Sequence, residues 1–133
     1  MIILINKCVH VAIRYGLSNE IIISLFEKGT IRKAVENGNL ELLKNAHENG
    51  IDWDEDTTIV AAAKGYLECL KYAHENKCPW NERTTEAAAE YGKLECLKYA
   101  HENRCDWNLI TTIAAAANGH LKCLMYAHEN RCP

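Results

Sequence analysis

The stretch "LECLKYAHENKCPWNERTTEAAAEYG", residues 67–92, returns almost unchanged as "LECLKYAHENRCDWNLITTIAAAANG", residues 94–119. Working outward from it, Gly38, Gly65, Gly92 and Gly119 stand 27 residues apart, as do Trp53, Trp80 and Trp107, and His47, His74, His101 and His128. A fixed period of this size is the signature of a solenoid, in which each unit buries its apolar face against the next. Dividing on the threonines gives units at 30–56, 57–83 and 84–110 and an incomplete one at 111–133, with residues 1–29 as a divergent start.

Within a unit, "TTIVAAAKG" (57–65) offers a threonine suited to an N-cap, a run of helix formers and a glycine stop. "YLECLKYAHEN" (66–76) then puts Leu67, Leu70 and His74 on one stripe with Cys69 and Ala73 beside it. Glu68, Lys71 and Glu75 fall on the opposite side, at spacings that allow ion pairs. Pro79 forbids continuation of this second helix, and Trp80 is expected to fold back over its apolar edge. Helices this short are marginal alone, so stacking must supply the stability. Alanines at 61–63, 87–89 and 114–117 should let first helices approach more closely than second helices carrying Tyr72, Tyr99 and Tyr126. That difference curves the stack and puts the first helices on its concave side.

Composition sets the outer bounds. The chain has 133 residues, enough for one domain, and 48% of them are hydrophobic, as in a soluble chain that folds around its own core. Fifteen basic and 18 acidic residues, net charge -3, are spread along the chain, which argues against a nucleic-acid partner. The amino end, "MIILINKCVHVAIRYG", carries Asn6, Lys7, His10 and Arg14, so it reads neither as a signal peptide nor as a membrane span.

The run "GYLECLKYAHENKCPWN" resembles the second helix of ankyrin repeats, G-H-x-x-V-V-x-L-L-L-x-x-G-A-x-V-N, and "TTEAAAEYG" resembles their first helix, with Thr84 near T-P and Ala88-Ala89 at the paired alanines. The resemblance covers residues 30–133 and implies an all-α ankyrin-like solenoid of stacked helix-turn-helix repeats with reduced or absent β-hairpin fingers. Its unit is 27 residues rather than the family's 33, and the shortfall lies between Asn81 and Thr84, where the finger would project. Alanine or glutamate replaces the histidine of T-P-L-H. The shortened unit is similar to repeats of giant viruses of amoebae, often joined to an F-box, to which nothing in residues 1–29 is similar. That implies a viral protein acting in the host cytoplasm and a host factor as partner. Residues 1–29 follow the same helix, glycine, helix order, with Ser18 as N-cap and Gly16 and Gly29 as stops, and are expected to form a capping unit. The last unit is as apolar as the internal ones, with Cys123, Leu124 and Ala127 expected to await a neighbour. Either the chain is part of a longer array or this end associates with a second molecule.

Seven cysteines and a histidine ladder are the one constellation that could carry chemistry. Zinc wants closely spaced ligand pairs, whereas Cys69 and Cys78 are nine apart, and the first unit has Leu42 and Ile51 at those two positions. Packing is therefore the expected role, with no metal or other cofactor and a reducing, intracellular compartment. The histidines are expected in the core, bonded to the backbone of the neighbouring unit's loop; the sharper alternative is a pH sensor of stacked imidazoles. The sequence contains no G-x-S-x-G, phosphate loop or H-E-x-x-H, and catalysis is not expected. The tryptophans are expected between units, rather than as a binding strip.

If the repeated positions build the frame, specificity lies where units disagree. The third position reads Arg32, Ile59, Glu86, Ile113, and the seventh, one helical turn on, reads Glu36, Ala63, Glu90, Ala117. The eighth reads Asn37, Lys64, Tyr91, Asn118, the tenth Asn39, Tyr66, Lys93, His120, and the unit ends change from Glu55-Asp56 and Glu82-Arg83 to Leu109-Ile110. Isoleucine and leucine amid charges on one concave strip point to a partner protein. The expected function is a non-catalytic scaffold or adaptor; the alternative is a structural unit that self-associates through its carboxyl-terminal repeat.

Overall fold

The computed structural model describes residues 14–16 and 29–133, so the expected capping unit at 1–29 lies almost wholly outside the described residues. The described residues contain eight α-helices and no strand. They come in four pairs: α1 (Thr30–Glu36) and α2 (Leu40–Glu48), α3 (Thr57–Lys64) and α4 (Leu67–Glu75), α5 (Glu82–Glu90) and α6 (Leu94–Glu102), α7 (Leu109–Ala117) and α8 (Leu121–Glu129). Each first helix packs on its own second helix and on the first helix of the next pair, α1 on α3, α3 on α5 and α5 on α7. Second helices also meet in sequence, α2 with α4, α4 with α6 and α6 with α8, but far less extensively.

The alanines account for the difference. Ala61, Ala62, Ala88 and Ala89 are wholly buried between first helices, where a methyl group leaves the backbones close together. Leu43, Leu70 and Leu97 fill the same core from the second helices, with Leu42, Cys69 and Cys96 beside them. The expected polar side of α4 is seen, with Glu68 and Glu75 exposed and Lys71 Nζ 3.7 Å from Glu68.

Helix starts differ from the expectation. None of the threonines sits at the N-cap position: Thr57, Thr84 and Thr111 lie inside the first helical turn, fully buried, and of these Thr111 completes a capping box by accepting from the Asn108 backbone N–H at 3.4 Å. Asn81 and Asn108 do the capping, each accepting from a backbone N–H at the head of α5 and α7. A buried hydroxyl needs a partner, and Thr58, Thr85 and Thr112 donate to the carbonyls of Pro79 (3.3 Å), Asp106 (2.8 Å) and Pro133 (2.7 Å). The threonines thus tie α3, α5 and α7 each to the loop that closes its own pair, whereas α1 has Ile31 at this position. Thr58 and Thr84 hydroxyls also meet across neighbouring pairs at 3.1 Å.

Helix ends differ too. The second helix stops at Glu75, well before Pro79. Lys77 takes a left-handed conformation (φ 65°), its N–H donates to the His74 carbonyl and the N–H of Cys78 donates to Ala73, the paired bonds of a Schellman ending. The Asn76 side chain donates to the Tyr72 carbonyl at 2.8 Å, satisfying another end group. Arg104 and Arg131 repeat the left-handed geometry, and in the first pair the position is Gly50. An L side chain there costs about 1–2 kcal/mol, part of which glycine returns as unfolded-state entropy. Lys77→Gly and Arg104→Gly should each stabilise the protein by about 0.5 kcal/mol in chemical denaturation. Equal or lower stability would show that the side chains make compensating contacts.

Candidate functional site

The variable positions run along the first helices from their amino to their carboxyl ends. On α1, Arg32 Nε is 2.9 Å from Glu36, and its guanidinium also pairs with Asp56 at the head of the next pair. Both carboxylates hold the Arg32 pKa above its ordinary value, the hydrogen bond with Glu36 contributing most. Glu86 on α5 is likewise engaged, its carboxylate accepting from the side-chain amide of Asn108 at 3.0 Å. At Arg32 and Glu86 the third position therefore touches the segment that leads into the next helix pair and is only half available to a partner. Ile59 is half-buried, whereas Lys64, Glu90 and Asn118 are exposed, and Tyr91 stands 54% exposed at the end of α5. Leu109, Ile110 and Ile113 on α7 are all more than half exposed.

The tenth position also makes contacts within the chain. Tyr66, Lys93 and His120, expected as partner-binding residues, each lie across the glycine of the preceding pair. A methyl group built on Gly38 would sit 2.8 Å from the Tyr66 ring, and one on Gly65 2.8 Å from the Lys93 chain. His120 covers Gly92 in the same way. These glycines have positive φ and would also exclude a side chain for want of space. Nothing lies within 4 Å of the corresponding point on Gly119.

The histidine ladder is built differently from the expectation of a backbone partner. His74 stacks flat on Trp80 of its own unit, centroids 3.9 Å apart, and its Nδ1 is 3.0 Å from the hydroxyl of Tyr99 in the next unit. His47 with Trp53 and Tyr72, and His101 with Trp107 and Tyr126, repeat the three-ring cluster. Lysines 44, 71 and 98 lie over the tyrosines, Nζ 5.7, 5.8 and 5.9 Å from the ring centroids. Each of these three imidazoles thus faces an indole, not another imidazole. The tryptophans are where the recurrence puts them, between units, and Trp53 Nε1 donates to the Asn76 carbonyl at 3.3 Å.

The thiols are held in their neutral form. Burial pushes Cys78 and Cys96 up to about 11 and Cys105 up to about 12, and Cys105 donates to the Asn81 carbonyl at 3.2 Å. The nucleophilic thiolate is scarce at neutral pH under those conditions. Among the described residues, no three His, Cys, Asp or Glu side chains converge to hold a metal ion, and no helix is long and apolar enough to cross a membrane.

Two of the surface depressions include variable positions. One, of about 390 Å³, gathers Arg32 and Arg83 against Asp54, Glu55 and Asp56. The other, of about 500 Å³, lies on the outer face of α7 and α8 and is lined by Leu109, Thr112, Leu124, Met125, His128, Cys132 and Pro133. The residues expected to await a neighbour there need correction. Cys123 and Ala127 are buried within their own pair, and of the three only Leu124 reaches this face. Met125 and Leu121, which the sequence reading passed over, are half or more exposed. Comparing each unit with the one before it would have found Met125, because Lys71 and Lys98 stand at its position.

No family model matches the chain, and no curated protein matches it.

Gly92→Ala and Gly119→Ala impose the same backbone strain, so their difference isolates the contact with His120. Gly92→Ala should cost about 1 kcal/mol more than Gly119→Ala in urea unfolding; equal losses would mean that the imidazole swings clear. The thiols yield a pH dependence. Their folded pKa values lie above the ordinary thiol value, so the folded state holds protons that the unfolded chain releases. Stability is therefore fully present below about pH 8.5, the ordinary thiol value. It should fall as pH climbs toward the folded values of about 11 for Cys78 and 12 for Cys105. Thermal unfolding across this range should show the fall, and Cys78→Ile with Cys105→Ile, the residue carried by the first unit as Ile51, should flatten it.

Proposed function

We propose that the chain is an ankyrin-like solenoid that binds a partner protein along its first helices and performs no chemistry. The observation that carries this reading is the exposure of Tyr91, Ile110 and Ile113 beside the charged Lys64 and Glu90, on positions where the units differ. Large apolar side chains left in water among charges are the composition of a protein-recognition surface, with an aromatic anchor and a polar surround. The close approach of the first helices, against the looser contact of the second, supports a curve with the first helices on its inner side. The absence of strands between Asn81 and Thr84 supports a partner that touches helices more than loops.

Within the strip the residues are unequal. Lys64, Glu90, Tyr91, Ile110, Ile113 and Asn118 are exposed and are the first candidates for contact. Arg32, Glu86, Tyr66, Lys93 and His120 already serve seams between units and would contribute through what they leave uncovered. Resemblance to viral repeats makes an intracellular host protein the partner to look for.

Affinity capture from a cell lysate tests the reading, with wild type beside an Ile59→Glu, Tyr91→Ala variant. Glutamate at position 59 repeats Glu86 of the next unit, so the variant should melt with wild type. A protein captured by wild type and lost at least ten-fold from an equally stable variant is the expected result. Retention of the same proteins by both would remove the strip from the function.

A further inference from the structure

The first helices do not all present the same surface. From pair to pair the third and seventh positions read Arg32 and Glu36 on α1, Ile59 and Ala63 on α3, Glu86 and Glu90 on α5, and Ile113 and Ala117 on α7. Each of these side chains is exposed or half-buried. At Ile59, Ala63, Glu86 and Glu90 that exposure exists with a further helix pair already in place, so it belongs to the array and not to its last member. On α1 the two charges answer each other, with Arg32 Nε 2.9 Å from Glu36. On α3 and α7 the same positions carry no charge.

On α5 the charges are unanswered. Glu82, Glu86 and Glu90 follow one another at i, i+4 and i+8, so three carboxylates share one helix face about 12 Å long. Like charges at that spacing oppose the helix that carries them. Elsewhere a glutamate one turn from a cation pairs with it, as Glu36 does with Arg32, Glu68 with Lys71 and Glu95 with Lys98. Among the described residues, Glu82, Glu86 and Glu90 pair with no lysine or arginine, and Glu86 has only the neutral amide of Asn108. Arg83, the cation of this helix, lines the depression that holds Asp54, Glu55 and Asp56. Because α5 packs on α3 and on α7, its acidic row lies between two apolar ones, with the exposed ring of Tyr91 at its carboxyl end.

We propose, resting on the reading that this strip binds a protein, that the segment it takes is a basic amphipathic helix. A lysine or arginine of that helix faces the α5 glutamates, and apolar side chains on either side of it face Ile59 and Ile113. Charge complementarity sets the sign, because three carboxylates without a cation are stabilised by the positive charge that the fold does not supply. Spacing sets the conformation. Packed helices lie about 8–10 Å apart, and a helix laid across them rises about 10.5 Å in seven residues, so its residues i, i+7 and i+14 meet α3, α5 and α7 in turn. An extended chain repeats its sides about every 6.8 Å and falls out of step with the rows. The described residues also offer no strand edge to which such a chain could add.

Selection from a displayed library of random peptides, each roughly 20 residues long so that it spans three rows as a helix, tests this on the immobilised chain. Enriched peptides should carry net positive charge, with a lysine or arginine seven residues from an apolar residue on each side. They should bind Glu86→Gln with Glu90→Lys about ten-fold more weakly or worse. That variant cancels the net charge of the row and keeps an acceptor for Asn108. It also places a cation in the last turn of α5, where the helix dipole favours it, so its thermal midpoint should match wild type. Peptides that are neutral or acidic, or that bind the charge variant as well as wild type, overturn the proposal. If those peptides are still lost from Ile59→Glu, Tyr91→Ala, the strip remains a binding surface and only the basic helix falls. No enrichment, or peptides that neither variant weakens, also overturns the helix, and the lysate capture judges the strip separately.

Discussion

No helix pair in this chain can stand without its neighbour. The described helices are seven to nine residues long, about two turns each, and helices of that length do not return the cost of nucleation in water. What holds them is the seam between pairs, where threonine, alanine and leucine recur at fixed places and are removed from solvent. A leucine such as Leu70 or Leu97, fully buried, is worth about 1.5–3 kcal/mol, and each seam receives one together with a close alanine contact. Every substitution within an internal pair is therefore felt at two seams, and the stability of any one pair is a property of the series.

The two sides of a seam are filled by different chemistry. Between first helices the filling is methyl groups and threonine hydroxyls, and the helices lie close. Between second helices it is an imidazole on an indole with a phenol at their edge and a lysine over the phenol, a layer several ångströms thick. The aromatic cluster keeps the second helices apart while burying its own large surface, and the Tyr99 hydroxyl gives His74 a hydrogen-bond partner. Small residues on one side and rings on the other are sufficient cause for unequal spacing.

The period, the two helices per unit, the glycine stops and the buried cysteines were legible because each is a local pattern or a comparison between equivalent positions. Leu42 and Ile51 disclosed the cysteines as apolar filling before any coordinate did. The helix ends were less legible. Thr84 has a good capping side chain, yet Asn81 three residues earlier takes the role, and the buried Thr84 hydroxyl instead meets that of Thr58 in the preceding pair. Pro79 forbids a helix without saying where the helix ends, and Lys77 accepts a left-handed conformation that its chemistry does not advertise. Contacts reaching into the next unit, such as His74 with Tyr99, depend on how neighbouring pairs are offset, which periodicity alone does not fix.

Variation between units is a weaker guide to a binding surface than it looks, and the tenth position shows why. Tyrosine, lysine and histidine follow one another there, the pattern expected of residues freed for recognition, yet all three pack on the chain itself. They can differ because the other half of the contact is a glycine. With no side chain opposite, the slot imposes little shape, and a ring or an extended chain fits it equally well. At the third position Arg32 and Glu86 are engaged as well, with Asp56 in one seam and Asn108 in another, while Ile59 stands there between them. Only where a variable residue meets neither a glycine nor a matched group, as at Tyr91, Ile110 and Ile113, does its identity remain available to something outside the fold.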